Sequence, residues 1–374
     1  MLDERIKPIV MPKWGLSMSQ GKITNWLKPV GTRLAPGDEI LEVETDKIAG
    51  VVEAGDTGTL RRLIGEPALT YPVKALLGVI ADDDVSDAEI DAYVAGYVTP
   101  VADADNDQQA GPQYEFVETP AGTIRYAKRG DGAETIVLVH GFGGDLDNWL
   151  FNIDALAGKA KVYALDLPGH GQSTKKLGEP SLAGLSDALT GFMDAVGIDS
   201  AHLIGHSMGG AVVLQTAIDE AARVKSLTLV SSAGLGPEIN GAYIDGFVTA
   251  SSRRELKPVL EQLFEEPGLV SRQLVDNVLK YKRLDGVSEA LASLARALFA
   301  NGRQSDGLAV DLAKVQQPMQ VIWGANDRII PSSHAAAPQS ARIDVVDGAG
   351  HMVQMEKASR VNELILAHVL RGIA

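Results

Sequence analysis

Cysteine is absent from this chain of 374 residues, so neither a disulfide nor a thiolate metal site can form. Positive charge is in short supply. Lys and Arg number 34 against 49 Asp and Glu, for a net charge of −15, and the sequence pI is about 4.9. That balance argues against nucleic acid or an anionic membrane as the main partner. No apolar run reaches the length of a membrane span. The first residues, Met-Leu-Asp-Glu-Arg-Ile-Lys, hold no apolar core of a signal peptide. The expectation is a soluble cytoplasmic protein. Hydrophobic residues make up 45% of the chain, and its length gives room for two or three domains with a sizeable core.

Residues 1–81 hold short alternating segments, such as Lys22 to Leu27, Ile40 to Val43 and Ile48 to Glu53. Gly31, Pro36-Gly37-Asp38, Gly55 and Gly58 punctuate them. This pattern predicts a small all-β unit. From Asp82 to Asp107 there are nine acidic residues and no Lys or Arg. Within that stretch, Ser86 followed by Glu89 predicts a short capped helix to Val94. The whole of residues 82–113 is read as an acidic, flexible linker.

From Tyr114 onward the pattern is α/β. Apolar runs at Ile136–Val139, Val162–Leu165, His202–Ile204, Leu227–Val230, Gln320–Trp323 and Ile343–Val346 suit buried parallel strands. Helix-like stretches lie between several of them, including Leu182–Val196, Met208–Ala222 and Ser359–Leu370. The alternation predicts a doubly wound sheet over residues 114–374. Residues 234–313 interrupt the rhythm with helix-like pieces and no clear strand, as an inserted helical cap would.

Two chemical signatures stand out. The first is Glu44-Thr45-Asp46-Lys47, placed between two strand-like segments where a tight turn would project an amine. A surface lysine is ordinarily a solvated charge; this setting exposes Lys47 to a modifying enzyme, and acylation would replace its charge with a long tether. The second is Gly205-His206-Ser207-Met208-Gly209, between a strand-like and a helix-like segment, the setting of a nucleophile elbow. A serine hydroxyl needs a base. His351, in a loop after Ile343–Val346, is the best of the seven histidines. His140, His170 and His206 read as packing or loop residues, and His202, His334 and His368 lack supporting context. Asp327 follows a strand and falls between Ser207 and His351, where it would fix the histidine tautomer; Glu238 is the fallback acid. The Gly-rich His140-Gly141-Phe142-Gly143-Gly144 follows the first clear strand. It assigns one oxyanion donor to the Phe142 N–H and the other to the Met208 N–H.

Met11-Pro12-Lys13-Trp14-Gly15-Leu16-Ser17-Met18, Pro36-Gly37-Asp38, Glu44-Thr45-Asp46-Lys47 and Gly58 together resemble lipoyl domains. That resemblance implies a β-barrel sandwich with lipoate in amide linkage to Lys47. Biotinyl domains usually present Met-Lys-Met there, and Asp46-Lys47-Ile48 favours lipoate. Residues 114–374 resemble the α/β-hydrolase family. The match runs through His140 to Gly143, Asp166-Leu167-Pro168-Gly169-His170-Gly171-Gln172-Ser173, Gly205 to Gly209, and the Asp327 and His351 loops. The fused pair resembles acetyltransferase components of acetoin dehydrogenase complexes. By that resemblance a thiamine-diphosphate enzyme loads acetyl on the lipoyl arm. The second domain passes it to coenzyme A, and dihydrolipoamide dehydrogenase reoxidises the dithiol. The alternative is a thioesterase or carboxylic ester hydrolase with a lipoyl appendage.

The His-x-x-x-Asp-Gly motif of 2-oxoacid dehydrogenase acyltransferases is missing, and residues 83–113 are short and acidic for a subunit-binding domain. The docking mode and self-association therefore stay open. Two cation groups, Arg253, Arg254 and Lys257, and Lys280, Lys282 and Arg283, would suit coenzyme A phosphates. They read more simply as solvated helix faces and stay outside the site.

Overall fold

In a computed structural model the chain divides into two compact units, residues 1–112 and 113–374. The structure describes residues 5–14, 18–45, 49–100 and 114–372. Lys47 and the C-terminal part of the expected linker, residues 101–113, lie outside them.

Among the described residues the first unit has eight strands: β1 (Ile6–Val10), β2 (Gln20–Trp26), β3 (Arg33–Leu34), β4 (Glu39–Glu44), β5 (Ala49–Glu53), β6 (Gly58–Leu63), β7 (Thr70–Pro72) and β8 (Leu76–Ala81). They form two four-stranded sheets, ordered β1-β8-β6-β3 and β5-β4-β2-β7. Side chains alternate as the strand period requires. In β2, Gly21 and Ile23 are buried while Gln20, Lys22 and Thr24 are exposed. Met11, Ile23, Leu34, Leu41, Val43, Leu60 and Leu77 belong to one buried cluster. At the Pro36-Gly37-Asp38 turn Gly37 takes φ +91°, and the Asp38 carboxylate accepts from the Ala35 N–H at 2.8 Å.

Residues 82–97 do not run as a free linker. Helix α1 (Asp87–Gly96) opens with the capping box of Ser86 and Glu89. Ile90 is buried against Ile6, Val79, Ala81 and Val85, with Tyr93, Val94 and Tyr97 packed alongside. The acidic residues face arginines from the sheets. Arg5 meets Asp84 and Glu89, Arg33 meets Asp83, and Arg61 and Arg62 meet Asp87. Exposed pairs of this kind contribute little each, so the apolar contacts of Ile90 carry most of the docking.

The second unit opens with an antiparallel hairpin, β9 (Tyr114–Thr119) and β10 (Gly122–Arg129). Then follow β11 (Thr135–Val139), α2 (Ile153–Ala157), β12 (Lys161–Leu165), α3 (Leu182–Ala195), β13 (Ala201–His206), α4 (Met208–Asp219) and β14 (Val224–Val230). Four helices come next: α5 (Gly241–Thr249), α6 (Arg253–Leu260), α7 (Arg272–Lys282) and α8 (Val287–Leu298). The chain closes with β15 (Met319–Gly324), β16 (Arg342–Val346), α9 (Val353–Glu356) and α10 (Ala358–Val369). One eight-stranded sheet, ordered β16-β15-β14-β13-β11-β12-β10-β9, runs through the unit. It is parallel from β12 to β16. Its central strands are buried along their length, as a sheet covered by helices on both faces requires. The loops after β11, β13, β15 and β16 therefore emerge at the carboxyl edge, where open α/β sheets place their sites.

Candidate active site

Ser207 ends β13 and opens α4 with φ 53° and ψ −120°. A non-glycine residue holds such a backbone only where its surroundings impose it. The flanking glycines show how. A Cβ on Gly205 would lie 2.3 Å from the Gly209 carbonyl oxygen. One on Gly209 would lie 2.4 Å and 2.5 Å from the carbonyl oxygens of Val139 and His140. No side chain fits at either position, so α4 starts hard against the ends of β11 and β13. Met208, the first residue of α4, has no intrahelical acceptor for its N–H.

The Gly141–Gly144 loop lies beside this elbow: a Cβ on Gly141 would approach the Ser207 Cβ to 2.9 Å. A buried network supports the loop from below. The Asp166 carboxylate takes Arg125 Nε at 2.6 Å and the N–H groups of Leu146 and Gln172 at 2.9 Å and 2.7 Å. Burial pushes the Asp166 pKa up, but the Arg125 charge and hydrogen bonds outweigh it and hold the carboxyl below its ordinary range. His140 Nε2 accepts from the Leu167 N–H at 3.0 Å, so Nδ1 bears the proton and donates to the Gly141 carbonyl at 2.8 Å. Burial keeps this imidazole neutral. Phe142 packs edge-on against Phe247 of α5 and against Phe299, with ring centroids 6.0 Å and 5.5 Å away.

Asp327 and His351 meet across the ends of β15 and β16. His351 Nδ1 lies 2.8 Å from Asp327 Oδ2, and both side chains are almost fully buried, at 3% and 0% exposure. The second carboxylate oxygen, Oδ1, accepts the N–H groups of Ile329 at 2.8 Å and Ile330 at 3.0 Å. The carboxylate only accepts, so Nδ1 carries the imidazole proton and Nε2 presents a lone pair. Glu238, the fallback acid, is elsewhere, bonded to His334 Nε2 at 2.7 Å.

Two residues have a larger part than their sequence context signalled. His206 Nε2 donates to the His351 carbonyl at 3.0 Å, with the two rings 4.8 Å apart. Burial, reinforced by His351 nearby, holds the His206 pKa far below its ordinary value, so it stays a neutral donor. Glu356, in α9, accepts from the Gly350 N–H at 2.7 Å and the Glu265 N–H at 2.6 Å. It thereby ties the His351 loop to the segment between α6 and α7. Met352 N–H to Leu263 O at 3.1 Å and a bond from Arg328 to the Phe264 carbonyl add to that seam. Burial raises the Glu356 pKa. A motif search finds neither role, because both depend on partners distant in sequence.

In the first unit, β4 and β5 pair antiparallel, with Glu44 opposite Ala49 closing the described ladder. The chain joining those two residues contains Lys47. No group of His, Asp and Glu among the described residues could hold a metal ion, and no described helix is long and apolar enough to cross a membrane.

The alpha/beta hydrolase fold profile matches residues 134–358, and the profile named Biotin-requiring enzyme matches residues 7–68. A dihydrolipoyllysine-residue acetyltransferase component of an acetoin cleaving system, from Cupriavidus necator, is 53% identical over 369 residues, covering 98% of both chains. The chain belongs to this family of acetyltransferase components. A Pseudomonas putida protein of the same description is 48% identical, over 97% of this chain and 98% of its own. Among solved structures, the meta-cleavage product hydrolase of Pseudomonas fluorescens IP01 superposes with a TM-score of 0.64 at 23% identity, over 70% of this chain and 98% of that one. That likeness is one of fold. This chain unites a lipoyl-type domain with an α/β-hydrolase domain.

Proposed function

We propose that this protein moves an acetyl group from a lipoyl arm on Lys47 to coenzyme A in acetoin breakdown, through a Ser207–His351–Asp327 triad. The observation that carries the reading is the buried His351–Asp327 pair at 2.8 Å, on a chain that also bears a lipoyl-type unit. Lipoate, when attached, supplies the acetyl thioester.

The protein's own groups then act in two half-reactions. His351 Nε2 takes the proton of Ser207 as Oγ attacks the thioester carbonyl. The Phe142 and Met208 N–H groups receive the negative charge that builds on the carbonyl oxygen. The carbon–sulfur bond breaks, the departing thiolate takes the proton from His351, and acetyl remains on Ser207. The coenzyme A thiol enters, gives its proton to His351 and attacks the acyl-serine. Ser207 recovers that proton as it leaves. One thioester replaces another, so little driving force is needed and hydrolysis is the side reaction to suppress. In this reading the seam that Glu356, Arg328 and Met352 make with residues 263–265 ties the cap to the His351 loop and would help keep water from the acyl-serine.

The relatives' description as a component of an acetoin cleaving system supports partner enzymes in general; in this proposal they are a thiamine-diphosphate-dependent acetoin-cleaving enzyme and dihydrolipoamide dehydrogenase. The test follows acetyl-coenzyme A and free acetate in parallel from lipoylated, acetyl-loaded protein, for the native chain and Ser207→Ala. Acetyl-coenzyme A as main product, lost in Ser207→Ala, supports the proposal. Acetate as main product whether or not coenzyme A is present would refute it and leave a thioesterase.

A further inference from the structure

Four of the six cations read as two separate groups along the sequence line one cavity in the structure. A pocket of about 510 Å³ lies between the start of α6 and the end of α7. Arg253, Arg254, Lys280 and Arg283 line it with one carboxylate, Asp276. Asp276 is held by Arg253, with Nη2 to Oδ2 at 2.7 Å. Arg254, Lys280 and Arg283 have no salt bridge among the described residues. A second carboxylate, Glu255, stands outside the lining but is bonded to two lining residues, accepting from the N–H groups of Ser251 at 3.0 Å and Ser252 at 3.2 Å. The pocket lining thus carries four cations against one anion, on a chain whose net charge is −15.

Lys282 belongs to neither the pocket nor the solvent. Its ammonium is buried and donates to the carbonyls of Phe247, Val248 at 3.3 Å and Ala250 at 2.7 Å. It pins the end of α7 to the end of α5, next to the pocket-lining Ser251. The same contact sets the pocket's place relative to the site. Phe247, whose carbonyl Lys282 holds, packs its ring on Phe142 of the oxyanion loop. Ser251, four residues further on and just past the end of α5, is already pocket lining.

We infer that this cavity binds the phosphate groups of coenzyme A, with Arg254, Lys280 and Arg283 as the phosphate-contacting residues and the thiol arm running along α5 toward Ser207. The inference rests on the transfer reaction proposed above. Arginine pairs with phosphate oxygens in a two-bond fork and lysine as a point charge. Three cations outside any close ion pair among the described residues, with Lys280 feeling Asp276 only at longer range, suit a ligand with several phosphates better than a single carboxylate.

The experiment uses the full-length protein with free S-acetyldihydrolipoamide as donor, and measures KM for coenzyme A and for the donor separately. Arg254→Ala, Lys280→Ala and Arg283→Ala should each raise KM for coenzyme A roughly tenfold and leave KM for the donor in place. Coenzyme A lacking its 3′-phosphate should bind the native protein more weakly. Lys257→Ala, outside the pocket and paired with Glu261, is the control. An unchanged KM for coenzyme A in all three variants would overturn the inference. So would, in a repeat with the acetyl-loaded lipoyl domain as donor, a rise in KM for that donor with KM for coenzyme A unchanged, which would make the cations a dock for the acidic lipoyl unit. Calorimetric titration with coenzyme A separates the two proposals. Binding that the variants lose, in a protein that makes no acetyl-coenzyme A, keeps the pocket and removes the transferase.

Discussion

Replacing Asp327 with asparagine should preserve the fold and trap His351 in the wrong tautomer. The direction follows from the two halves of the carboxylate. Oδ1 serves two backbone N–H groups, at 2.8 Å and 3.0 Å, and Oδ2 serves His351 Nδ1. An amide has one accepting end. If its oxygen keeps the Ile329 and Ile330 N–H groups, its NH2 must face Nδ1, which then has to be unprotonated, and the proton moves to Nε2. The opposite flip keeps the productive tautomer but strands two buried N–H groups, at about 1–3 kcal/mol each. The unproductive arrangement is therefore favoured by about 2–6 kcal/mol, or about 1.5 to 4.4 decades of population at 1.36 kcal/mol per decade. An equivalent change in a serine-protease triad costs about 10⁴-fold in turnover. Acetyl-coenzyme A formation, and the acylation burst with p-nitrophenyl acetate, should each fall by about 10²–10⁴-fold, while the urea midpoint moves little. A folded Asp327→Asn protein that keeps more than a tenth of the native rate would refute the tautomer argument.

Gly209→Ala puts a methyl group against the backbone carbonyls of Val139 and His140, which cannot swing aside. Urea unfolding should show a loss of about 1–3 kcal/mol or more; native stability would mean that the elbow has slack. Glu356→Gln tests the loop–cap seam through pH. The native carboxyl has its pKa raised above 4.5 by burial, so its contribution to stability is largest below that value and falls as pH rises through the raised pKa. The stability advantage of the native protein over Glu356→Gln should shrink from about pH 4.5 upward, read by urea titration at several pH values; an advantage that grows with pH would contradict the sign. Ile90→Ala empties the contact that docks α1 on the first unit. It should cost about 2–5 kcal/mol and speed amide exchange across residues 87–96 ahead of the β-strands. Unchanged protection there would show that the arginine–carboxylate pairs suffice.

The central sheet was legible because its strands are buried on both faces and read as unbroken apolar runs. Observed bounds from β11 to β16 extend the expected segments by at most three residues at an end, as in Val224–Val230 for the expected Leu227–Val230. The hairpin of β9 and β10 escaped notice. β9, Tyr-Glu-Phe-Val-Glu-Thr, sits at the sheet edge with Phe116 exposed, so it shows no clean apolar face. At the site, residue types whose chemistry is rare announced themselves. The serine came with its glycines, and the acid and histidine in order on consecutive strand ends. Residues that work through backbone groups did not. Glu356 reaches Glu265 across 91 positions and His206 reaches His351 across 145; nothing local marks either. The acidic stretch misled for a related reason. Its charge has no counterpart nearby in sequence, and Arg5, Arg33, Arg61 and Arg62 become its counterparts only once the sheets form.

The docked α1 moves the natural seam for cutting the protein into transplantable parts. A lipoyl module trimmed at Ala81, where the strands end, would leave Ile6, Val79 and Ala81 facing water. It would also strip the anionic cover from four arginines. Such a piece would be sticky and basic on one side, and a poor cargo carrier in a foreign assembly. Cut beyond Tyr97, the same module carries its own lid and its own counter-charge.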